Sequence, residues 1–470
     1  MSKGKELAKN TLIITIGKIS TQFISFFLIP LYTSYLASSD YGAVDLINTY
    51  VSLLVPVVTL QLEQAIFRFL IDARNNENEQ KKVINSIFKT IIIHMMVFLI
   101  IGIIISLFLN LNYKYFLILN VLVCMISSIF LQIARGLGKT KIYTYGSMLT
   151  GTVAVLLNLI LIAGFKMNAS GILISNCTAN ILCSILLYFS LKLYKYIKFS
   201  EKKDKKTVKS MYSYSLPLIP NSISWWVINV SDRTIISAML GLSYNGIYSI
   251  SNKFSSIYII IYNLFNLSWT ESISLYINDK DGKSFFEDTI NKMFVLFSSI
   301  CTLIIAFLPL CFNFLVNGEY RISYNYMPIL LVASLFNVVV GLYSAIYVAK
   351  KQTKELAKSS VMCACINILV NVILIKFIGL YAAALSTFIA YFVLMVYRYI
   401  DVKKYINISL KKKNVFFTFG MVLFSIICYY INNVYLNVIC FVLMAILSLL
   451  LNKEFLFNIK NTIFRKKEVK

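Results

Sequence analysis

Apolar runs of about 20 residues, each bounded by a short polar or basic cluster, recur along the whole chain. Wound as a helix, a run of that length crosses the hydrocarbon core of a bilayer. Fourteen segments fit: 11–32, 42–62, 84–109, 114–134, 143–164, 169–190, 211–240, 244–271, 290–315, 325–349, 358–376, 379–400, 414–431 and 434–452. Only Phe377 and Ile378 separate two of them, and Gly379 marks the turn there. The predicted fold is all-α and polytopic, with about 14 transmembrane helices.

Composition agrees. Of 470 residues, 59% are hydrophobic and only 14% charged, with mean hydropathy +0.75, far from a soluble domain. The first run follows MSKGKELAKN, is long and lacks a small-residue cleavage pattern. It reads as the first span and not a removed signal peptide.

The net charge of +25 is placed in clusters between the apolar runs. With the N-terminus in the cytoplasm, most of the 45 lysines and arginines fall on the cytoplasmic side. They include RFLIDARNNENEQKK, ARGLGKTK, KLYKYIKFSEKKDKKTVK, AKKQTKELAK, the 398–413 segment and the tail. Lys114, Lys166, Arg321 and Lys376 fall on the other side. This bias places both termini of the multi-pass protein in the cytoplasm. Contact with anionic bilayer lipids accounts for the basic loops, and no nucleic-acid partner is expected.

Chemistry-bearing motifs are missing. The nine cysteines are scattered through apolar segments without CxxC spacing, and His94 is the single histidine, so no metal site is expected. ARGLGKTK is too short and differently spaced for a nucleotide loop, and no Ser/His/Asp constellation is present. The sequence therefore suggests a transporter with no catalytic residues and no cofactor. An ion gradient, the membrane potential, a substrate gradient or a partner would supply its energy.

The chain repeats itself. LGKTKIYTYGSMLTGTVAVLLNLILI echoes KKQTKELAKSSVMCACINILVNVILI, so that Thr140–Lys141 matches Thr353–Lys354 and Asn158 matches Asn371 at one common offset. PLYTSYLASSDYGAVDLINTY echoes RTIISAMLGLSYNGIYSISNK, with Tyr41–Gly42 in the place of Asn245–Gly246. Parallel repeats of this kind predict two pseudo-symmetric six-helix lobes around a central cavity. The expected divisions are an N-terminal lobe over 1–198, a basic linker over 199–209, a second lobe over 210–400, and two further helices with a tail over 401–470.

Polar residues inside the spans supply the candidate site. Thr11, Thr15, Lys18, Gln22 and Ser25 share one face of the first span. Asp45, Asn48, Ser52, Thr59 and Glu63 follow on the second, with Pro56 expected to open its backbone hydrogen bonding. Asn221, Trp225, Asn229 and Asp232 share a face of the seventh span, and the eighth carries Asn252, Lys253, Asn263, Asn266 and Glu271. A charge in a span costs about 2.5–3.5 kcal/mol on insertion scales, so it faces protein or a watery cavity. Lys18, Arg68, Arg233 and Lys253 are the candidate cationic lining for an anionic head group such as a diphosphate. Glu63, Asp232 and Glu271 are charge-pair or coupling candidates, with Asp232–Lys253 a candidate ion pair. The bland readings are snorkelling for Lys18 and orientation for Arg68.

Three stretches together carry a family resemblance: KNTLIITIGKISTQFISFFLIPLYTSYLASSDYGAVDL, DRTIISAMLGLSYNGIYSISNKF and AKKQTKELAKSSVMCACINILVNVILIKFIGLYAAALST. The chain resembles the polysaccharide-lipid flippases of the multidrug/oligosaccharidyl-lipid/polysaccharide exporter superfamily, which move O-antigen, capsular and teichuronic-type repeat units. The resemblance implies a place in the bacterial cytoplasmic membrane and translocation of undecaprenyl-diphosphate-linked oligosaccharide from its inner to its outer leaflet by alternating access, alongside a polysaccharide polymerase and glycosyltransferases. Alternatives are a peptidoglycan lipid-precursor flippase or an ion-coupled drug exporter of the same superfamily. A membrane glycosyltransferase or polysaccharide polymerase is the alternative of a different class; its usual large outer catalytic loop is missing.

Overall fold

The computed structural model describes residues 26–108, 112–198, 200, 203–276, 282–350, 352–454 and 457. Among these residues the architecture is all helical, with sixteen α-helices. They are α1 (Ile29–Tyr35), α2 (Ser38–Val58), α3 (Leu62–Asp72), α4 (Glu77–Phe108), α5 (Lys114–Gly136), α6 (Thr140–Asn158), α7 (Ala169–Ser190) and α8 (Lys205–Ser215). Then follow α9 (Ile219–Met239), α10 (Leu242–Tyr276), α11 (Gly282–Leu315), α12 (Met327–Ala349), α13 (Thr353–Ile378), α14 (Leu380–Val402), α15 (Lys412–Ile431) and α16 (Val434–Leu451). Eleven helices among the described residues are long and apolar enough to cross a membrane. The two helices α9 and α10 have the length but are too polar to be counted with them, because they carry the charged and amide residues of the second repeat.

By packing, the chain divides into a unit over Met1–Gly246 and a unit over Ile247–Lys470. In the first unit, α5 contributes Val121, Met125, Ile129 and Ile133, a buried stripe with a spacing of four. α3 answers with Leu62, Ile66 and Leu70. The two helices touch closely, since a Cβ on Gly136 would lie 2.7 Å from Leu70 Cβ. Outward, α4 exposes Ile100, Ile104, Leu107 and Phe108. A stripe that apolar has no place in water and marks a lipid-facing surface.

The second span departs from a single straight helix. Pro56 lies inside α2, and the helix breaks three residues later. Leu60 and Gln61 take left-handed φ values of 53° and 58°, and the Gln61 amide donates back to Pro56 O at 2.9 Å. Each left-handed non-glycine residue costs roughly 1–2 kcal/mol. The break turns the chain into α3 and aims Gln61 sideways.

From Lys205 the basic midpoint segment is helical. α8 is amphipathic and packs Val208 and Met211 against α3 and α4. Asp204 caps it, accepting from the Lys206 amide at 3.3 Å and the Thr207 amide at 3.2 Å. The Thr207 hydroxyl and the Lys82 ammonium, 3.1 Å away, hold the Asp204 carboxyl down at about 2. The single histidine joins the same contact, with His94 Nε2 2.7 Å from the Tyr212 hydroxyl.

In the second unit, α12 is the central helix and packs against α11 and α14. Gly379, at φ +57° and ψ −135°, makes the tight turn between α13 and α14, a conformation closed to residues with a Cβ. The α15–α16 hairpin packs on α11 through Ala306, Met421, Cys428, Cys440 and Met444. A tyrosine clasp holds its far end: the Tyr324 hydroxyl donates to Tyr429 O at 2.8 Å and the Tyr429 hydroxyl to Tyr324 O at 2.7 Å.

One basic residue assigned from sequence to the cytoplasmic edge has another role. Arg398 is buried. Its guanidinium donates to Ser359 at 3.0 Å, Ser360 at 3.0 Å, Leu356 O at 3.3 Å and the Ser344 hydroxyl, binding α14 to both α12 and α13. Beside it, Asp401 accepts from the Tyr347 hydroxyl at 2.7 Å and the Lys404 ammonium at 2.7 Å. Arg398→Ala removes the charged donor shared by three serine hydroxyls on two neighbouring helices and is expected to destabilise the protein by about 3 kcal/mol. Arg398→Lys should recover only part, since an ammonium cannot reproduce the planar fork. Thermal unfolding in detergent tests the order; equal melting of all three proteins would refute the clamp.

Candidate functional site

Within the unit Met1–Gly246, α2 and α9 lie against each other along a polar seam. They run antiparallel, because residues late in α9 meet residues early in α2. At one end the seam closes on two glycines. A Cβ on Gly42 would lie 1.9 Å from Leu242 O, and a Cβ on Gly246 would lie 2.1 Å from Ser38 O. The contact is reciprocal: each glycine meets the carbonyl one helical turn before the other. Tyr41–Gly42 and Asn245–Gly246 hold equivalent places in the two repeats, so the crossing reproduces the internal symmetry of the sequence.

Asn245 fixes this crossing. Its side chain is fully buried and donates to Gly42 O at 2.9 Å, with Asp45 Oδ2 at 3.5 Å. One turn further, Arg233 Nε donates to the same Asp45 Oδ2 at 2.9 Å. The two charged side chains are 13% and 17% exposed, which makes this a largely desolvated pair. Deeper along the seam, Trp226 Nε1 donates to Thr49 O at 2.9 Å, and beyond the α2 break Gln61 bonds the Ser222 hydroxyl. α9 therefore presents Ser222, Trp226 and Arg233 to α2. The face proposed from sequence is rotated by one residue from these, and the side chains of Asn221, Trp225 and Asn229 lie outside the described residues.

The other predicted residues are distributed as follows. Asp232, next to Arg233, is buried. Lys253 is half-buried on α10 in the second unit. Arg68 stands on an exposed face of α3 and pairs with Asp72 at 2.5 Å, four residues on in the same helix. Glu63 is buried at the α2 break, accepting from the Thr59 hydroxyl at 2.5 Å. Lys18 and the side chain of Glu271 lie outside the described residues.

Sequence reasoning placed Asp45 on a polar face without choosing it, and missed Asn245, Gln61 and the glycines as site residues. The Gly42–Gly246 equivalence was the available signal. A desolvated pair of this kind is weak net glue but costly to break from one side. That makes it suited to hold one of two helix arrangements until a competing charge arrives.

No curated protein matches the chain in sequence. In fold it is similar to the lipid II flippase MurJ in an inward closed conformation, with a TM-score of 0.63 and 18% identity over 98% of this chain and 100% of that one. An inward-facing multidrug resistance MATE family transporter of the MOP superfamily gives 0.62 at 12% identity, over 83% of this chain and 98% of that one. The outward-facing form of such a transporter gives 0.54 at 12%, over 84% and 96%. The polysaccharide biosynthesis protein family matches residues 7–270, more than half of the chain and the whole α2–α9 seam. With that match and a fold shared with flippases and exporters, the chain belongs to the polysaccharide biosynthesis protein family.

Proposed function

We propose that the protein translocates undecaprenyl-diphosphate-linked oligosaccharide repeat units from the inner to the outer leaflet by alternating access, for cell-surface polysaccharide assembly. One observation carries the reading: a desolvated Asp45–Arg233 pair closes a seam between α2 and α9 in a chain of a polysaccharide biosynthesis family. A diphosphate is the ligand chemistry that would compete with Asp45 for Arg233, because a guanidinium binds phosphate oxygens through two parallel N–H bonds. Release of Asp45 would remove the charged bond of the seam, leaving only its neutral bonds through Trp226 and Gln61, so that substrate charge favours opening. Lys253 and Lys18 are the further cations proposed to meet the head group. Arg68, exposed and held by Asp72, is proposed to act at the entry side. The similarity to a protein named as a lipid II flippase supports a lipid-linked cargo.

The test is leaflet-resolved transport in proteoliposomes carrying a defined diphosphate-linked saccharide lipid. Head-group transfer should exceed that of protein-free vesicles and require the diphosphate. Correctly folded protein with its native lipid and no transfer above background would overturn the assignment. Efflux of a cationic drug in place of lipid transfer would move it to the drug exporters.

A further inference from the structure

The second unit contains a groove that the transport reading does not use. It is a cavity of about 560 Å³ between α12, α14 and α15, walled by Val339, Met395, Val396, Val415, Phe416 and Phe419. That volume lies within the roughly 300–1,000 Å³ typical of ligand sites. Val396, Val415, Phe416 and Phe419 are all exposed, so the groove opens toward lipid and not into the protein.

Its two ends differ. At the mouth, Lys412 lines the groove as the first residue of α15, flanked by exposed Lys411 and Lys413. Lys403 adds a second exposed cation nearby, its ammonium 4.2 Å from the centre of the Tyr399 ring, which forms part of the wall. The start of α15 has no side-chain cap, so its positive dipole end adds to the lysines. The mouth is also preformed. Asn291 donates to Ser409 O at 3.0 Å and accepts from the Lys411 amide at 2.8 Å, while Glu287 accepts from the Ser409 hydroxyl at 2.7 Å. In the body, the Tyr343 hydroxyl is buried in the wall and has no hydrogen-bond partner.

We infer that the groove holds one anionic phospholipid of the surrounding bilayer. Its phosphate sits on Lys412 with Lys403 nearby, and an acyl chain lies between α12, α14 and α15. The sign of the head group follows from the charges at the mouth: Lys412 in the lining, Lys403 on the Tyr399 ring, and no acidic side chain among the described lining residues to hold a choline. This occupant is a bound component of the fold, distinct from the transported cargo.

Native mass spectrometry of the full chain, purified and stripped in detergent, tests the inference. With phosphatidylglycerol and phosphatidylcholine offered in equal amounts, the protein should keep one phosphatidylglycerol and lose phosphatidylcholine. The double variant Lys403→Ala, Lys412→Ala should lower that preference at least tenfold. Val396→Trp should fill the groove and remove the bound lipid with both lysines intact, which separates groove binding from general surface charge. Equal retention of the two phospholipids, or unchanged retention in both folded variants, would overturn the site. Displacement of phosphatidylglycerol by equimolar undecaprenyl phosphate would equally overturn it and give the groove to the polyprenyl carrier.

Discussion

Gly42→Ala is expected to lower transport at least tenfold while leaving the protein folded, with Gly246→Ala doing the same. Each added methyl would start at about 2 Å from a backbone carbonyl that belongs to a helix and cannot swing away. To reach even 3 Å the two helix ends must part by about 1 Å, and close-packed interiors transmit such a displacement. That separation stretches the 2.9 Å Asn245–Gly42 bond beyond bonding distance and draws Asn245 away from Asp45. The loss should appear as faster maleimide labelling of a cysteine placed at Thr49 in a cysteine-free background. The double variant should be little worse than either single one, because both methyls wedge the same crossing. Full transport and unchanged labelling in both single variants would show that the close approach has no part in the cycle.

The helices were legible because their signal is long and repeated: a bilayer span imposes about 20 apolar residues, and one or two polar residues do not erase that. Gly379 was legible for a similar reason, since a glycine between two apolar runs has few other uses. The site was legible only in part. Asp45 and Arg233 could each be recognised as an expensive charge, but their pairing depends on how α9 is rotated about its axis. A shift of one residue turns a helix face by about 100°, and polar residues at 221, 225, 229 and 232 gave as good a stripe as 222, 226 and 233. Arg398 shows the opposite difficulty. At a helix end in a basic cluster it looks like a topological charge, and only the serines of α12 and α13, remote in sequence, reveal a buried clamp. The α8 docking was hidden by composition: lysines dominate the segment, while the three buried positions Val208, Met211 and Ser215 carry the contact.

Arg233→Gln and Asp45→Asn should each favour the open seam, and a charge swap should separate closing from binding. Removing one partner of a largely buried pair costs about 3–5 kcal/mol, because the other charge stays desolvated without the bond that offset its burial. Coupling between two conformations is usually about 1–3 kcal/mol, so losing the pair outweighs a typical bias and depopulates the closed arrangement. Labelling near Thr49 should rise at least tenfold in either variant, and leaflet transfer should fall by a similar factor. In the swap Asp45→Arg, Arg233→Asp the attraction returns, so labelling should drop back toward the native rate. Transport should not return with it if Arg233 also meets the diphosphate, because the cation would then project from α2 in place of α9. Recovery of both readouts would assign the pair to closing alone. The native arrangement gives a reason to expect the split. The 2.9 Å bond uses Arg233 Nε, whereas a lysine would have no second nitrogen in the same plane for a second anion. Arg233→Lys should therefore keep much of the protection from labelling while weakening the dependence of transport on the diphosphate.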